Sequence, residues 1–379
     1  MPIDLILEIL SRATAKSVAR FRLASKFCAS IVRRPDFTEL FLTRSSARPR
    51  LLFAIKGDRK WSFYSSPQLA RVELRSNSSS LVVAADYQVK LPGYTHSEIC
   101  DPVSGLIYLP DVHMENKNVI TVPVAYNPST GQYGSCPQRR IMTRNYYYFR
   151  DLLGYDPVDK NFKVLSYDNG KKEYHILTLG ARKESWRKIE FPDHHGHLSE
   201  GICINGVLYY LAEVYGYSPV PSVSRVSIAC FDVRSEKIRF LDASMFKTSS
   251  CIWPYKLINY KGELGVSGLG WHCLNPDGKH TIEFKLWVLK DVKKISWSKS
   301  VFLARPEGEF SNCLAVVGAT ATGEIVFSMS YVSKPFYVFY FSPERNTTER
   351  VEIRGFEAFE NPCKVHTFVD HVEDFKFIT

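Results

Sequence analysis

The sequence repeats one pattern in YHILTLGARKESWRKIEF (residues 174–191) and FKLWVLKDVKKISWSKSVFL (residues 284–303). Each copy consists of an alternating apolar run, a polar turn and a second run. Trp186 and Trp297 occupy corresponding positions in the two copies. Apolar residues at every second position predict β-strands. The two tryptophans are 111 residues apart, close to three repeats of roughly 37 residues. Repeats of about 40 residues with four short strands each are typical of β-propeller blades, with a pair of β-sandwiches as the alternative.

Strand-like runs continue on both sides of this repeat. LLFAIK (51–56) and WSFYSS (61–66) flank the turn-rich GDRK and predict a hairpin. Later runs contain tight turns that begin at Asp-Pro or Ser-Pro, as in YDPVDKNFKVLSY (155–167) and FSPERNTTERVEI (341–353). We therefore expect an all-β, propeller-like domain over 51–379 with six to eight blades. Its last strands, within 364–378, should pair with those near 51–64 so that no sheet edge is left open.

The N-terminal segment MPIDLILEILSRATAKSVARFRLASKFCASIVRRP (1–35) shows helical spacing instead. One face of a first helix collects Ile3, Ile6, Leu7 and Leu10. Thr14 is a suitable N-cap for a second helix, and Pro35 is suited to begin a further one. We expect a small all-α module of three or four short helices over 1–43, followed by a linker over 44–50. Such a module buries little surface by itself and should need a partner.

Composition excludes several functional classes. No apolar run approaches the length of a membrane span, and Asp4 and Glu8 interrupt the region where a signal peptide would be apolar. Residues 1–56 hold eleven Lys or Arg against four acids, so this segment carries +7 of the total charge of +10. The large domain therefore lacks the clustered cationic face of a nucleic-acid binder. Nine scattered cysteines without C-x-x-C spacing indicate buried thiols in a reducing compartment.

We find no sequence motif typical of catalysis or of cofactor binding. HHGH (194–197) offers three histidines, but no cysteine stands at zinc-site spacing, and a solvated loop is the preferred interpretation. GVSGLG (265–270) has its glycines at the wrong offsets for a dinucleotide fingerprint or a nucleophile elbow. No pair of carboxylates stands out as an acid and base. We therefore predict a protein without enzymatic activity, cofactor or metal.

Two aromatic tracts are candidate recognition segments. In RRIMTRNYYYFRD (139–151), Tyr146 and Tyr147 lie among arginines, a mixture that suits stacking on a charged ligand. The preferred alternative there is a loop that runs into a buried strand. VYGYSPVPSVS (214–224) contributes Tyr215 and Tyr217 to a loop that could lie at the mouth of a propeller, where partners bind.

The N-terminal segment resembles the F-box. The matching order is Pro2-x-Asp4-Leu5-Ile6-x-Glu8-Ile9-Leu10-x-Arg12, then Lys16-Ser17-Val18-x-Arg20-Phe21-Arg22, then Ser25-Lys26. The sequence that follows resembles, in looser motifs, the kelch-like, F-box-associated β domain of a large plant family. The chain departs from the F-box pattern where Ala13-Thr14 replace Leu-Pro, Ala24 replaces Val and Cys28 replaces Trp. Losing a large buried side chain typically costs about 2–5 kcal/mol, which puts the strength of docking in question.

The resemblance implies a helical plug that docks on a Skp-type adaptor and, through it, on a cullin and a RING protein. The positions that carry over as adaptor-binding residues are Pro2, Leu5, Ile6, Ile9, Leu10, Val18, Arg20, Phe21, Ser25 and Lys26. The expected function is then that of a substrate-recognition subunit of an SCF-type ubiquitin ligase, in the cytoplasm or nucleus, with the β domain binding an unknown target protein. The alternative is a stand-alone β interaction domain behind a degenerate F-box that no longer docks.

Overall fold

The described residues form four α-helices followed by 26 strands. The computed structural model describes residues 2–57, 60–69, 81–91, 94–95, 99–113, 121–138, 149–181, 184–215, 224–246, 255–272, 281–304, 314–359 and 363–375. Among these residues no helix combines the length and the apolar character that a membrane crossing requires.

The N-terminal helices are short, and two of them begin at a side-chain cap. Their bounds are α1 (Ile3–Leu10), α2 (Ala15–Ala24), α3 (Lys26–Val32) and α4 (Pro35–Ser46). The hydroxyl oxygens of Thr14 and Ser25 accept the backbone N–H of Ser17 and Cys28, and so cap α2 and α3. The linker is shorter than the predicted 44–50, because α4 meets no helix breaker before Pro49 and continues to Ser46.

The strands follow in chain order from Arg50. Their bounds are β1 (Arg50–Lys56), β2 (Trp61–Pro67), β3 (Leu81–Ala84), β4 (Asp86–Lys90), β5 (Tyr94–Thr95), β6 (Ile107–His113), β7 (Thr121–Tyr126), β8 (Tyr133–Ser135), β9 (Phe149–Asp156), β10 (Asn161–Asp168), β11 (Glu173–Leu179), β12 (Arg187–Ile189), β13 (His195–His197), β14 (Ile202–Ile204), β15 (Val207–Tyr215), β16 (Ser224–Asp232), β17 (Ile238–Asp242), β18 (Lys256–Tyr260), β19 (Glu263–His272), β20 (Thr281–Asp291), β21 (Ser296–Ala304), β22 (Leu314–Ala319), β23 (Ile325–Met329), β24 (Phe336–Ser342), β25 (Thr347–Arg354) and β26 (Lys364–His371).

These strands form six sheets, which are the blades of a propeller. The sheet orders are β26-β1-β2-β4, β5-β6-β7-β8, β9-β10-β11-β12, β13-β15-β16-β17 with β14 beside β15, β18-β19-β20-β21, and β22-β23-β24-β25-β3. The second to fifth blades are each built from consecutive strands, whereas the first blade takes β26 from near the C-terminal end and the sixth takes β3 from near the N-terminal end. The described part of the chain thus has six blades and no face-to-face pair of sandwich sheets.

The cores lie between neighbouring blades, so central strands are apolar on both faces. In β1, Leu51, Phe53 and Ile55 pack toward the sixth blade, while Leu52 and Ala54 pack toward the second. Further clusters join the second to the third blade, the third to the fourth, and the fourth to the fifth. Burial on both faces explains why runs such as LLFAI read as continuous apolar segments rather than as strict alternation.

The ring closes where the sequence predicts it. β1 pairs antiparallel with β26 over six residue pairs, from Arg50–His371 to Lys56–Lys364. A second link crosses the same joint, because β3 leaves the first blade and pairs in parallel with the outer strand β25 of the sixth. Closure therefore rests on two strands from different parts of the chain.

The helical module sits against the closing blade and shares its core with the C-terminal segment. Phe375, which follows β26, belongs to the apolar cluster of the four helices. Lys16 of α2 donates from Nζ to the carbonyl oxygens of Tyr87 (3.0 Å) and Gln88 (3.1 Å) in the first blade. The helices and the propeller are thus joined by side-chain packing as well as by the short linker.

One sequence interpretation is wrong in this region of the chain. HHGH does not form a solvated loop: His195 and His197 are buried in β13, beside the long strand β15. Their rings pack among Tyr167, Tyr174 and Tyr210. The polar composition of the tetrapeptide suggested exposure, but its two buried histidines pack against aromatic rings from other strands. The tetrapeptide alone carries no sign of these distant contacts.

Candidate functional site

Helix α1 is apolar on two faces, and only one of them is buried. Leu7 and Leu10 are each 9% exposed and pack into the helical core. On the opposite side Leu5 is 51% exposed and Ile9 57% exposed. Because they are four residues apart, Leu5 and Ile9 lie next to each other on the helix surface. The helical module covers only one of the two apolar faces of α1, so the outer face, with Leu5 and Ile9, is a candidate docking surface.

Other exposed apolar side chains belong to the same module. Ile3, Leu23 and Phe27 are 40%, 84% and 56% exposed. With Leu5 and Ile9 they make five of the fifteen large apolar side chains that are exposed in the described residues, although they come from one short N-terminal stretch. Such a concentration indicates a protein-binding surface, which we call the docking face and define as Ile3, Leu5, Ile9, Leu23 and Phe27.

The helical module that carries the docking face is basic, since residues 1–56 hold eleven Lys or Arg against four acids. Of the two acids of α1, Asp4 is exposed between Ile3 and Leu5, whereas Glu8 is held by Arg44 and Arg12, each with an N–O distance of 2.6 Å. The hydrogen bonds from Arg44 and Arg12 lower the pKa of Glu8. Arg20 and Lys26 are exposed. A partner that complements this surface therefore offers apolar side chains flanked by acidic ones.

The predicted adaptor-binding residues divide by burial. Six are exposed: Pro2, Leu5, Ile9, Arg20, Ser25 and Lys26. Ile6 and Phe21 are half-buried, whereas Leu10 and Val18 lie in the core of the module, with Val18 at 0% exposure. Leu10 and Val18 thus hold the helices together rather than offer contact area, and Ser25 also caps α3. Sequence reasoning missed Leu23 and Phe27. The available signal was that these two apolar residues lie four positions apart, one on each side of the α2–α3 junction.

The departures from the F-box pattern fall at mixed depths. Ala13 and Cys28 are half-buried, while Ala24 is exposed. Thr14 has a clear role of its own as the cap of α2, where Pro would offer no hydroxyl. The thiol of Cys28 accepts from the hydroxyl of Ser25 at 3.1 Å. None of the four departures is thus fully buried in the helical module.

A second candidate surface surrounds Tyr215, at the end of β15. Tyr215 is 41% exposed and lines a cavity of about 820 Å³. Four other rings from the third and fourth blades form its walls: Tyr167, Tyr174, Phe191 and His195. We call this cavity the aromatic pocket. Tyr146, Tyr147 and Tyr217, the other predicted target-binding residues, lie outside the described residues.

Hydrogen bonds hold the imidazole of His195 in the wall of the aromatic pocket. The ring nitrogens of His195 are 3.0 Å from the carbonyl oxygen of Asp193 and 2.8 Å from the hydroxyl of Tyr210. Burial lowers the pKa of His195 to about 4, so its ring is neutral at pH 7. Lys171, Lys172 and Lys188 stand at the rim, where Lys188 pairs with Glu173 at 3.0 Å. Apolar walls with a charged rim suit a side chain of a protein partner.

The central cavity of the propeller is smaller than the aromatic pocket, with a volume of about 280 Å³. Lys256 of the fifth blade points its Nζ at Glu200 (3.5 Å) and Asp101 (3.9 Å), which belong to other blades. One ammonium there lies between two carboxylates, so this group joins blades around the axis. Across the described residues, no group of three or more His, Cys, Asp or Glu side chains is placed to hold a metal ion.

Comparison with known proteins assigns the two parts. Residues 1–40 match the F-box domain, and residues 50–372 match the F-box associated beta propeller domain. This chain belongs to the F-box proteins with an F-box associated β-propeller. The family assignment covers both the helical module that carries the docking face and the six-bladed domain.

Relatives of this F-box protein match along its whole length. It is 46% identical to F-box protein At3g57590 of Arabidopsis thaliana, covering 99% of this chain and 91% of the relative. Putative F-box protein At5g52620 of the same plant is also 46% identical, over 100% and 98% of the two chains. A longer relative, Putative F-box protein At1g30925, is 47% identical over 98% of this chain and 65% of its own. Among solved structures, prolyl oligopeptidase B from Galerina marginata is similar at 11% identity and a TM-score of 0.37, over 82% of this chain and 41% of the enzyme.

Proposed function

We propose that this F-box protein is the substrate-recognition subunit of an SCF-type ubiquitin ligase. The observation that carries the proposal is the docking face, where apolar side chains are exposed on helices that match the F-box. Burying Leu5 and Ile9 against a partner would remove apolar surface from water, which stabilises a complex by about 25 cal/mol per Å² before the costs of association. A Skp-type adaptor is the partner that this face would take, and a cullin and a RING protein would follow through it.

The propeller would then bind the protein that is ubiquitinated. In this proposal the chain performs no chemistry and acts by proximity, since holding a target beside the transfer machinery raises its effective concentration. The site of action would be the cytoplasm or the nucleus. The two surfaces belong to different parts of the molecule, so adaptor and target could be bound at the same time.

The docking face is tested by charge substitution. We expect Leu5→Asp with Ile9→Asp to abolish co-purification with a recombinant Skp-type adaptor, because two carboxylates would have to be buried without partners. Both positions are more than half exposed, so the variant should keep the melting curve of the unchanged protein. The matched control is Val158→Asp, at a 63% exposed position in the turn between β9 and β10. Undiminished binding by the double variant would refute docking through α1.

A stand-alone interaction protein with a non-docking F-box is the second candidate, favoured by the departures at Ala13, Ala24 and Cys28. Cys28→Trp distinguishes the two. If docking occurs and is weakened by the missing ring, this substitution should tighten adaptor binding. If the unchanged protein and Cys28→Trp both fail to bind any Skp-type adaptor, the second candidate is correct.

We further propose that targets are bound at the aromatic pocket. Tyr215→Ala together with Lys172→Glu would remove a wall and reverse a charge at its rim. Tyr331→Ala is the control, because Tyr331 is also half-exposed, at 49%, but belongs to the sixth blade. Proteins that proximity labelling detects with the unchanged protein should no longer be labelled with the double variant. They should still be labelled with the control. If the double variant labels the same proteins as the unchanged protein, targets are bound at another surface.

A further inference from the structure

The segment after β26 enters the core of the helical module. Phe375 is 2% exposed, although it lies only four residues beyond the last strand. Its ring stacks on Phe37 with centroids 5.3 Å apart and meets the edge of Phe41 at 4.7 Å. Both partners belong to α4, so the C-terminal segment supplies a core residue to helices that begin the chain.

A polar contact accompanies this packing. Glu373, which is 7% exposed, accepts the backbone N–H of Ala15 through Oε2 at 3.2 Å. Ala15 is the first residue of α2, whose opening N–H groups have no partner within the helix. Thr14 caps the N–H of Ser17, so the cap of α2 is shared between the helical module and the C-terminal segment.

The other side of the segment is held by the propeller. The side-chain amide of Asn127 donates to the carbonyl oxygen of Asp374 at 2.9 Å. Gly105 lies so close that a Cβ there would be 3.0 Å from the Cβ of Asp374, and its φ is +81°. His371, the last residue of β26, contacts the hydroxyl of Ser129 at 3.1 Å. The segment is thus a fixed part of the first two blades.

Four helices of 7 to 12 residues form a marginal module, because little apolar surface is buried among them. We propose that Phe375 and Glu373 are positioning residues for adaptor docking: they complete the core and the helix cap of the F-box from the propeller side. The docking face is then ordered only while the C-terminal segment is in place. This inference rests on the proposed function for its effect on docking, and on packing alone for its effect on the helices.

Two phenylalanine truncations in the full-length chain test it. Phe375→Ala removes the ring shared with α4. Phe356→Ala removes a ring of the same size that packs on Phe53 and Phe336 within the propeller. Hydrogen exchange measured by mass spectrometry should become faster in α2–α4 by on the order of 100-fold with Phe375→Ala, and stay unchanged there with Phe356→Ala. Exchange in α2–α4 that is unaffected by Phe375→Ala would overturn the inference.

Adaptor affinity supplies the second readout. Phe375→Ala should weaken binding to a recombinant Skp-type adaptor at least about ten-fold although the docking face is untouched, and Phe375→Leu should restore part of it, because Leu refills most of the space. Glu373→Gln, which keeps an acceptor for Ala15, should bind better than Glu373→Leu. Equal affinity for all four variants and the unchanged protein would refute a positioning role.

The two experiments distinguish an error in the proposed function from an error in this inference. If the unchanged protein binds no adaptor, docking through the F-box is wrong, while the exchange experiment still decides whether Phe375 holds the helices.

Discussion

At the scale of single residues, His197 stands out because the whole polar part of its side chain is buried. It is 8% exposed, and neither ring nitrogen has a hydrogen-bond partner among the described residues. Its ring lies 4.2 Å from that of Tyr210 and 5.4 Å from that of Tyr167. Burial without partners costs free energy for any polar group, so the native residue is destabilising here.

Replacing this imidazole by an apolar ring should stabilise the protein. We expect His197→Phe to raise the free energy of unfolding at pH 7 by about 1 kcal/mol, since the unmet polar atoms disappear and the ring contacts remain. Urea unfolding followed by fluorescence measures the change. A lower midpoint would show that the slightly larger ring does not fit.

The same residue makes stability depend on pH. Burial lowers the pKa of His197 well below 6.5, and those of His195 and His371 to about 4. Below pH 6.5 the unfolded chain therefore binds more protons than the folded one, and stability falls with pH from 6.5 toward 4. Each histidine should cost about 1 kcal/mol between pH 6.5 and 5.5. The carboxyls of Glu373 and Asp370, whose pKa values burial raises, act in the opposite sense.

Urea midpoints at pH 7.5 and 5.5 check this sign. The unchanged protein should lose stability at the lower pH, and His197→Phe should lose about 1 kcal/mol less. His194→Gln, at an exposed neighbouring position, is the control and should behave like the unchanged protein. An equal loss in all three would mean that His197 takes up its proton without unfolding.

At the scale of one element, β3 depends on a glycine in the segment beside it. Gly355 follows β25 with φ at +106°, and a Cβ at this position would lie 2.5 Å from the carbonyl oxygen of Ala85. Ala85 in turn donates its N–H to the carbonyl oxygen of Arg354 at 2.7 Å. The parallel pairing of β3 with β25 thus requires a residue without a side chain at its end.

Substitution of this glycine should loosen the joint between the first and sixth blades. We expect Gly355→Ala to lower the free energy of unfolding by about 2–3 kcal/mol, from backbone strain plus the clash with Ala85. Gly180→Ala is the matched control, because Gly180 also has positive φ but has open space around it, and should cost only about 1 kcal/mol. Equal losses would show that strain alone matters. Thermal melting of both variants makes the comparison.

At the scale of the whole molecule, the C-terminal strand closes the ring and the residues after it join the two domains. Truncation separates these roles. A chain of residues 1–363 lacks β26, leaves β1 with an unpaired edge, and should aggregate. A chain of 1–371 keeps β26 but loses Phe375, so its propeller should melt almost normally while its helices exchange rapidly. A chain of 1–375 should match the full-length protein.

Size-exclusion chromatography and thermal melting compare the three truncated chains. A monomeric 1–363 chain with an undisturbed melt would mean that β26 is dispensable for ring closure. Aggregation of 1–371 to the same degree as 1–363 would mean that the helices and propeller unfold as one unit.

Much of the fold could be predicted from local pattern. Helical spacing in residues 1–35, the cap at Thr14, the helix start at Pro35 and the β1–β2 hairpin all depend on neighbours along the chain. Ring closure was also predictable, because an all-β domain with repeating units must pair its last edge. The docking face was found only in part: the F-box resemblance pointed to Leu5 and Ile9, but could not separate them from the buried Leu10 and Val18.

The sequence by itself determined the helical module, the strands, the repeating blades and the family, since periodicity and motif order are properties of neighbouring residues. Tertiary structure decided which apolar side chains are left outside, why HHGH is buried, where β3 pairs, and that Phe375 completes the core of helices more than 300 residues earlier. Those outcomes depend on contacts between distant segments. Such contacts are set by how blades and helices pack around one another, and the spacing of residues within a segment carries no record of that packing.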